Sequence, residues 1–479
     1  MNIRIKSVLL VVGMLISFSA CNEPSFCNNT ANSSSVSRER FSSPEVIAPN
    51  LCVSEQQNRS CSEGALGPWS GTYAYTSCKV VPSNEVGVNL PLMTIDDFKY
   101  VGGFRISSKK FGDGVGTSVD FSQGQFTYNP KNNSIFIIGH PADSAVAEFR
   151  VPQIINSTNI ADFEIADQLI QPFSKFYKTY RVDTGINGYF RVTGMEIIDG
   201  GLMINYINWY DANGAETDTS VYFKDASNLG SSAINGPYQL VGAAHAAGWL
   251  SAIPEERRAI LGGTHISGSQ SGASISSRLS IGPSAFVINP VDSFAKKSAG
   301  SLDSIKLLDF SLANMLYDKS VYSEFVDRDD ILRNFDGKND LWTNISGAAH
   351  GFIIPGTSTY FTIGRSGGHK SGVGYKITQD DGTLCGGSCA YSASDYSSYY
   401  WLWDVNDLVK VKSGSLNSFD VRPYAYGEFP IPMDLKKAGV NSGYFDPESK
   451  LLYLSIPNAD ETSIYDRPPL MLVYEFVGE

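Results

Sequence analysis

Charge is scarce in this chain, positive charge scarcer, and histidine scarcest. Asp, Glu, Lys and Arg make up 18% of its 479 residues, below the usual quarter. Acids outnumber bases 49 to 37, giving a net charge of −12 and a pI near 5.0. The shortage of bases excludes general binding to nucleic acid or to an anionic bilayer, which needs a basic face. After the first twenty residues no run of about 18 apolar residues occurs, so no transmembrane helix is expected. Long heptad patterns are missing, which excludes a coiled coil. No carboxylate pair stands out to suggest a glycoside hydrolase. What the chain does have is 12% aromatics and 45 glycines, a composition for short strands joined by tight turns.

The start of the chain reads as a targeting segment. "MNIRIK" is a basic lead and "SVLLVVGMLISFSA" an apolar core ending in small residues. Cys21 follows at once, and "FSAC" resembles a bacterial lipobox. Residues 1–20 are therefore expected to be a lipoprotein signal peptide, with Cys21 lipidated and the protein held at the cell envelope, or else secreted. The chain has seven cysteines, and removing Cys21 leaves six: Cys27, Cys52, Cys61, Cys78, Cys385 and Cys389. An even number suits an oxidising compartment. Their connectivity is open at this level.

Residues 21–90 read as a Ser- and Asn-rich tether followed by a small cysteine-stapled segment. Residues 91–479 have another texture, in which apolar strands alternate with Gly, Asn, Asp and Pro turns. Four stretches share one pattern: "FTYNPKNNSIFIIGH" (126–140), "MEIIDGGLMINYINWYD" (195–211), "GFIIPGTSTYFTIGR" (351–365) and "SGYFDPESKLLYLSIPN" (442–458). Each is a strand, a tight turn and a second strand. "IPEERRAILGG" is a helix signature, with Pro254 early, acids in the first turn and Gly at the end. Strand hairpins without a parallel βαβ rhythm point to an all-β fold, best a β-propeller, whose radial repetition protects strand edges. At roughly 55 residues per blade, seven blades fit. A pair of β-sandwiches or a β-helix is the alternative.

In three of these hairpins the second strand ends near a polar side chain: His140, Tyr206 and Arg365. In a propeller, equivalent strand ends share one face, so the three are expected to converge on one funnel. "YVGGFRI", "VAEFRVP", "NWYDANG", "ISSRLSIGPSAFVINP", "WLWDVNDLVKVKSG" and "FDVRPYAYGEFPIP" occur in this order. Together with the first hairpin they resemble secreted bacterial seven-bladed propellers that include ulvan lyases. The resemblance implies a polysaccharide lyase cleaving a uronate-containing, sulfated algal polysaccharide by β-elimination.

Such chemistry needs a group that neutralises the uronate carboxylate, a base for the C5 proton and an acid for the departing oxygen. His140 and Tyr206 are the candidates for proton transfer, and Lys224 for the carboxylate. Tyr210, Asn205, His265, Arg278, Arg365 and His369 are candidate substrate-binding residues, the arginines because a guanidinium grips a carboxylate or sulfate with two prongs. His245 and His350 follow alanines and read equally as packing residues between blades. "CGGSC", Cys385 to Cys389, is expected to close a disulfide, with zinc shared with His265 or His369 as the alternative. "SGSQSGAS" stands where the resemblance leads one to expect further cysteines. The chemistry requires no cofactor; a structural zinc or calcium is left open. "DANGAETD" lacks the spacing of a calcium loop and reads as a turn. The expected partner is an acidic polysaccharide, met by a monomer whose only membrane contact is its lipid. The competing reading is a non-catalytic surface propeller that binds glycan or protein.

Overall fold

The turn in "IIDGGL" shows how the hairpins form. Asp199 and Gly200 both take positive φ, 49° and 77°, the two left-handed positions of the tightest hairpin turn. They join Phe190–Ile198 to Gly201–Asn208, paired antiparallel from Ile198↔Gly201 outward. The computed structural model describes residues 35–47, 51–62, 65–81, 90–176, 190–208, 211, 214–269, 279–322, 326–375, 391–435 and 439–478. Cys21, Tyr210, Arg278, Cys385 and Cys389, with the roles expected of them, lie outside these residues. Among the described residues no helix is long and apolar enough to cross a membrane.

The chain divides into two units, residues 1–83 and 84–479. In the first, Ser35–Phe41 pairs antiparallel with Ser54–Ser62, and Glu45–Ile47 pairs parallel with Lys79–Val81. A disulfide joins Cys52 to Cys78, 26 residues apart.

The second unit is a β-propeller. Five sheets of four or five strands are found among its described residues. From the channel outward, the first blade is Phe126–Asn129, Ser134–Ile138, Val146–Arg150 and Leu169–Ser174. The second is Phe190–Ile198, Gly201–Asn208, Ser220–Phe223 and Ile234–Leu240, edged by Gly300–Leu302. The third is Leu250–Ala252, His265–Ser267, Ala285–Ile288 and Ser304–Leu308. The fourth is Gly347–Ile353, Thr359–Ser366, Ser397–Asp404 and Ala425–Glu428. The fifth takes Ser442–Asp446, Leu451–Ile456 and Leu470–Phe476 from the end of the chain and Phe98–Ile106 from the start of the unit.

The inner strands contact one another in a closed ring. Hydrogen bonds mark its joints. Thr127 meets Glu196, Thr193 donates to the Ala247 carbonyl, and Ser251 donates to the Gly351 carbonyl. Arg365 donates to Asn441, and the Phe126 N–H to Ser442. Phe126 and Ser442, each the first residue of its strand, meet, as do the mid-strand residues Ser251 and Gly351, so the inner strands run the same way and the channel has two different mouths.

Among the described residues the ring closes with five blades, and the expected seven are not found. The four quoted hairpins are the inner hairpins of the first, second, fourth and fifth blades. Insertions outside the hairpins make each blade longer than the repeat length assumed. The helix Glu255–Leu261, bounded by Pro254 and by Gly262 at φ 86°, is one insertion and splits the inner hairpin of the third blade.

Blade faces bury their apolar side chains against neighbouring blades. Phe136, Ile138 and Val146 pack with Met195, Ile204 and Val221. Each such side chain contributes about 1.5–3 kcal/mol. Trp249, Trp401 and Trp403 are almost fully buried, and their indole N–H groups donate to Tyr360, the Leu341 carbonyl and Thr362. Buried indoles keep their polar edge satisfied in this way.

Candidate functional site at the two mouths of the channel

Each second strand runs antiparallel to its inner strand. Its C-terminal end therefore lies at the mouth where the inner strands begin, called here the first mouth. His140, Tyr206 and Arg365 all sit at that end of their blades.

Gly139 and Gly364 precede His140 and Arg365 for a packing reason. A Cβ on Gly139 would stand 2.6 Å from the Phe173 ring and 2.9 Å from the Ser118 carbonyl. On Gly364 it would collide with the Gly347 carbonyl. His140 is held by its backbone, its N–H donating to the Ser118 carbonyl at 2.8 Å. Its ring Nδ1 accepts the Ala142 N–H at 3.1 Å, so the neutral ring carries its proton on Nε2. Burial lowers its pKa, against the pull of Asp120 and Asp143.

Arg365 is half-buried and donates to Asn441 Oδ1 at 2.7 Å, while Asn441 donates to the Gln123 carbonyl at 2.7 Å. At the same mouth lies Arg191, the second residue of the inner strand of the second blade. Desolvation and then the charge of Arg365 depress the Arg191 guanidinium below its ordinary value. The second and fourth blades are not neighbours, so this influence crosses the channel. Two cations are thereby brought to one mouth of an acidic protein.

Tyr206 shares the end of the molecule but not the same surroundings. Burial, then Asp218 and Glu216, push its hydroxyl well above the usual value. The other candidates are placed elsewhere. Lys224 follows Ser220–Phe223 and is exposed at the opposite end of the second blade, because Phe223 pairs with Leu202 at that end. Asn205 is fully buried. Its amide donates to the Gly248 carbonyl and Ser267 and accepts from Ser220, pinning two blades and leaving no surface for a substrate. His265 lies toward the second mouth, bonded to Thr264 at 2.9 Å and pushed down to about 4 by burial and then Arg258. His369 fixes a loop: Nε2 meets Ser366 at 2.8 Å, Nδ1 meets the Asn339 carbonyl at 3.2 Å, and the ring stacks on Tyr399. Among the described residues no group of three or more His, Cys, Asp or Glu is placed to hold a metal ion.

At the second mouth, where the inner strands end, a cavity of about 330 Å³ reaches up to Glu196 and His350. Glu196 is 7% exposed, with one long contact at 3.4 Å from Thr127, and burial pushes its carboxyl up to about 8. His350 is 3% exposed, and burial pushes it down to about 3. Its Nε2 has no hydrogen-bond partner among the described residues. Glu148 is a useful contrast. Equally buried, it is met by Ser134, Asn129 and Gln171 and serves as a structural knot.

Arg191, Glu196 and His350 were missed as site residues. Two signals could have found them. Extending the second hairpin backward puts Arg191 opposite Ile207 at the mouth of Tyr206. An acid inside the apolar strand "MEII" is itself costly without a reason.

Strand order and ring closure thus define a β-propeller with Arg191 and Arg365 at its first mouth and a cavity reaching Glu196 and His350 at its second. No family model matches the chain, and no curated protein matches it, so neither supports the resemblance to ulvan lyases. Among solved structures, the crystal structure of the C-terminal WD40 domain of Sif2 is similar over 89% of this chain and 78% of that chain. Its identity is 8% and its TM-score 0.23, a likeness that carries no argument.

Proposed function

We propose that the protein acts on an acidic polysaccharide at the first mouth, as a lyase that cleaves beside a uronate by β-elimination. The observation that carries this reading is the placement of Arg191 and Arg365 at the same mouth by strand register, with the charge of Arg365 a minor cause of the lowered Arg191 pKa. Guanidiniums at one mouth attract an anion, and a carboxylate or sulfate on a chain supplies one. His140 adds an Nε2–H at the same mouth, so its part is to share the carboxylate's developing charge with the arginines. Tyr206, held protonated, is the donor to the departing oxygen; the C5 proton passes to solvent water, and solvent restores the Tyr206 hydroxyl proton. Lys224 and Asn205 have no part in this arrangement.

A second reading is non-catalytic capture of the same chains. It is favoured by the protonation of the two transfer candidates: neither His140 Nε2 nor Tyr206 is poised to take a proton. One experiment separates the two. The full chain is incubated with ulvan and other uronate-bearing polysaccharides while the ultraviolet absorbance of unsaturated uronate is followed, and the same chains are run through affinity gels. Rising absorbance supports the lyase. Retardation without absorbance supports capture. Neither result, or retardation unchanged in Arg191→Ala/Arg365→Ala, overturns the acidic-glycan reading.

A further inference from the structure

We propose that the second mouth is a separate binding site for a small uncharged molecule rich in hydroxyl groups, of about monosaccharide size. The cavity of about 330 Å³ lies within the range of small-ligand sites. His350 lines it with a buried Nε2 that lacks a partner among the described residues. A buried polar atom left unmatched costs about 1–3 kcal/mol, so the site gains from any ligand that completes it. Glu196 lines the same cavity with only the long Thr127 contact. In its protonated form it both donates and accepts, as paired hydroxyls require. Phe352 and Phe445, stacked at 4.7 Å, supply an apolar wall for the face of a ring.

The charges disfavour the alternatives. Glu255 and Glu256 outnumber Arg258 among the charged residues that line the cavity, which disfavours an anion. For a cation, no three of the described His, Cys, Asp or Glu side chains, Glu255 and Glu256 included, come together as ligands. The inference does not depend on the first mouth, because none of these residues belongs to it.

The test uses the full chain and ligand-observed saturation-transfer NMR with glucose, rhamnose, xylose and glucuronate. At least one neutral sugar is expected to receive saturation. His350→Phe, which keeps the volume and removes the nitrogen, should weaken it at least about tenfold. Glu196→Gln, which keeps an uncharged donor and acceptor, should hold affinity within about threefold. Arg365→Ala should leave it unchanged. Phe445→Ala removes a half-buried wall and should also weaken binding, which covers the case of a misfolded His350 variant. The proposal is overturned if no neutral sugar is saturated, or if Phe445→Ala binds like wild type. It is overturned equally if Arg365→Ala abolishes the signal, which would put the sugar at the first mouth. Stabilisation by Zn²⁺ or Ca²⁺ that vanishes in His350→Phe would make this a metal site instead.

Discussion

A histidine whose Nδ1 accepts a backbone N–H has one neutral tautomer left, and His140 carries its proton on Nε2. That side chain is a donor, which gives two expectations. His140→Ala should lower elimination by at least about a hundredfold, while His140→Gln, whose amide can still donate, should recover part of the loss; kcat and KM measured on both variants check this. Because the ring's pKa is lowered, its donor form is complete at neutral pH and activity should not fall between about pH 7 and 8 through this group. Arg365→Ala should weaken retention of acidic polysaccharide by about tenfold or more and flatten its salt dependence, read from affinity gels across a salt series. Glu196 makes a prediction about the fold. Its ordinary value is 4.5 and burial raises it to about 8. Between these values the unfolded chain gives up a proton that the folded chain keeps, so stability falls as pH rises, by about 1.4 kcal/mol per unit at the steepest. Glu196→Gln should lack this component of the slope. Urea titrations of both chains from about pH 5 to 8.5 measure it, and parallel curves would sink the assignment.

At the scale of the element, the hairpin tips set what can stand there. Gly139→Ala should destabilise the propeller by about 1–3 kcal/mol, because its methyl meets Phe173. Phe173→Leu in the same chain should recover part of that in thermal melts. The hairpins were also the most legible feature of the sequence. Alternating apolar runs around "NPKNN", "DGG", "PGTS" and "DPESK" marked four inner hairpins, because strand period and turn chemistry are local. The third blade's was illegible: Leu250–Ala252 and His265–Ser267 have three residues each, with a helix between. The helix itself was readable from Pro254 and Gly262. Position at a mouth was legible where strand ends carry it, as at Arg365, which register places beside the start of its inner strand. Lys224 misled because a lysine beside a hairpin says nothing about which end of the blade it occupies. His350 and Glu196 gain their character from burial, which depends on four other blades.

Across the whole molecule, the count of five follows from ring closure, which no stretch of sequence displays. The closure is made by Phe98–Ile106 pairing with Leu470–Phe476. A chain beginning after residue 106 should expose Leu470–Phe476 as a bare apolar edge and aggregate on size-exclusion chromatography. A synthetic peptide of residues 98–106 should restore part of the monomer peak.

That closure also has a history in time. The first strand of the propeller to be made is held by the last. At roughly 5–20 residues per second of synthesis, Phe98–Ile106 waits tens of seconds for its partner. Throughout that wait Phe104 and Ile106, both almost fully buried in the finished ring, are without their cover. The newborn chain is thus most adhesive at its leading end, and whatever escorts it must stay until the final strand has emerged.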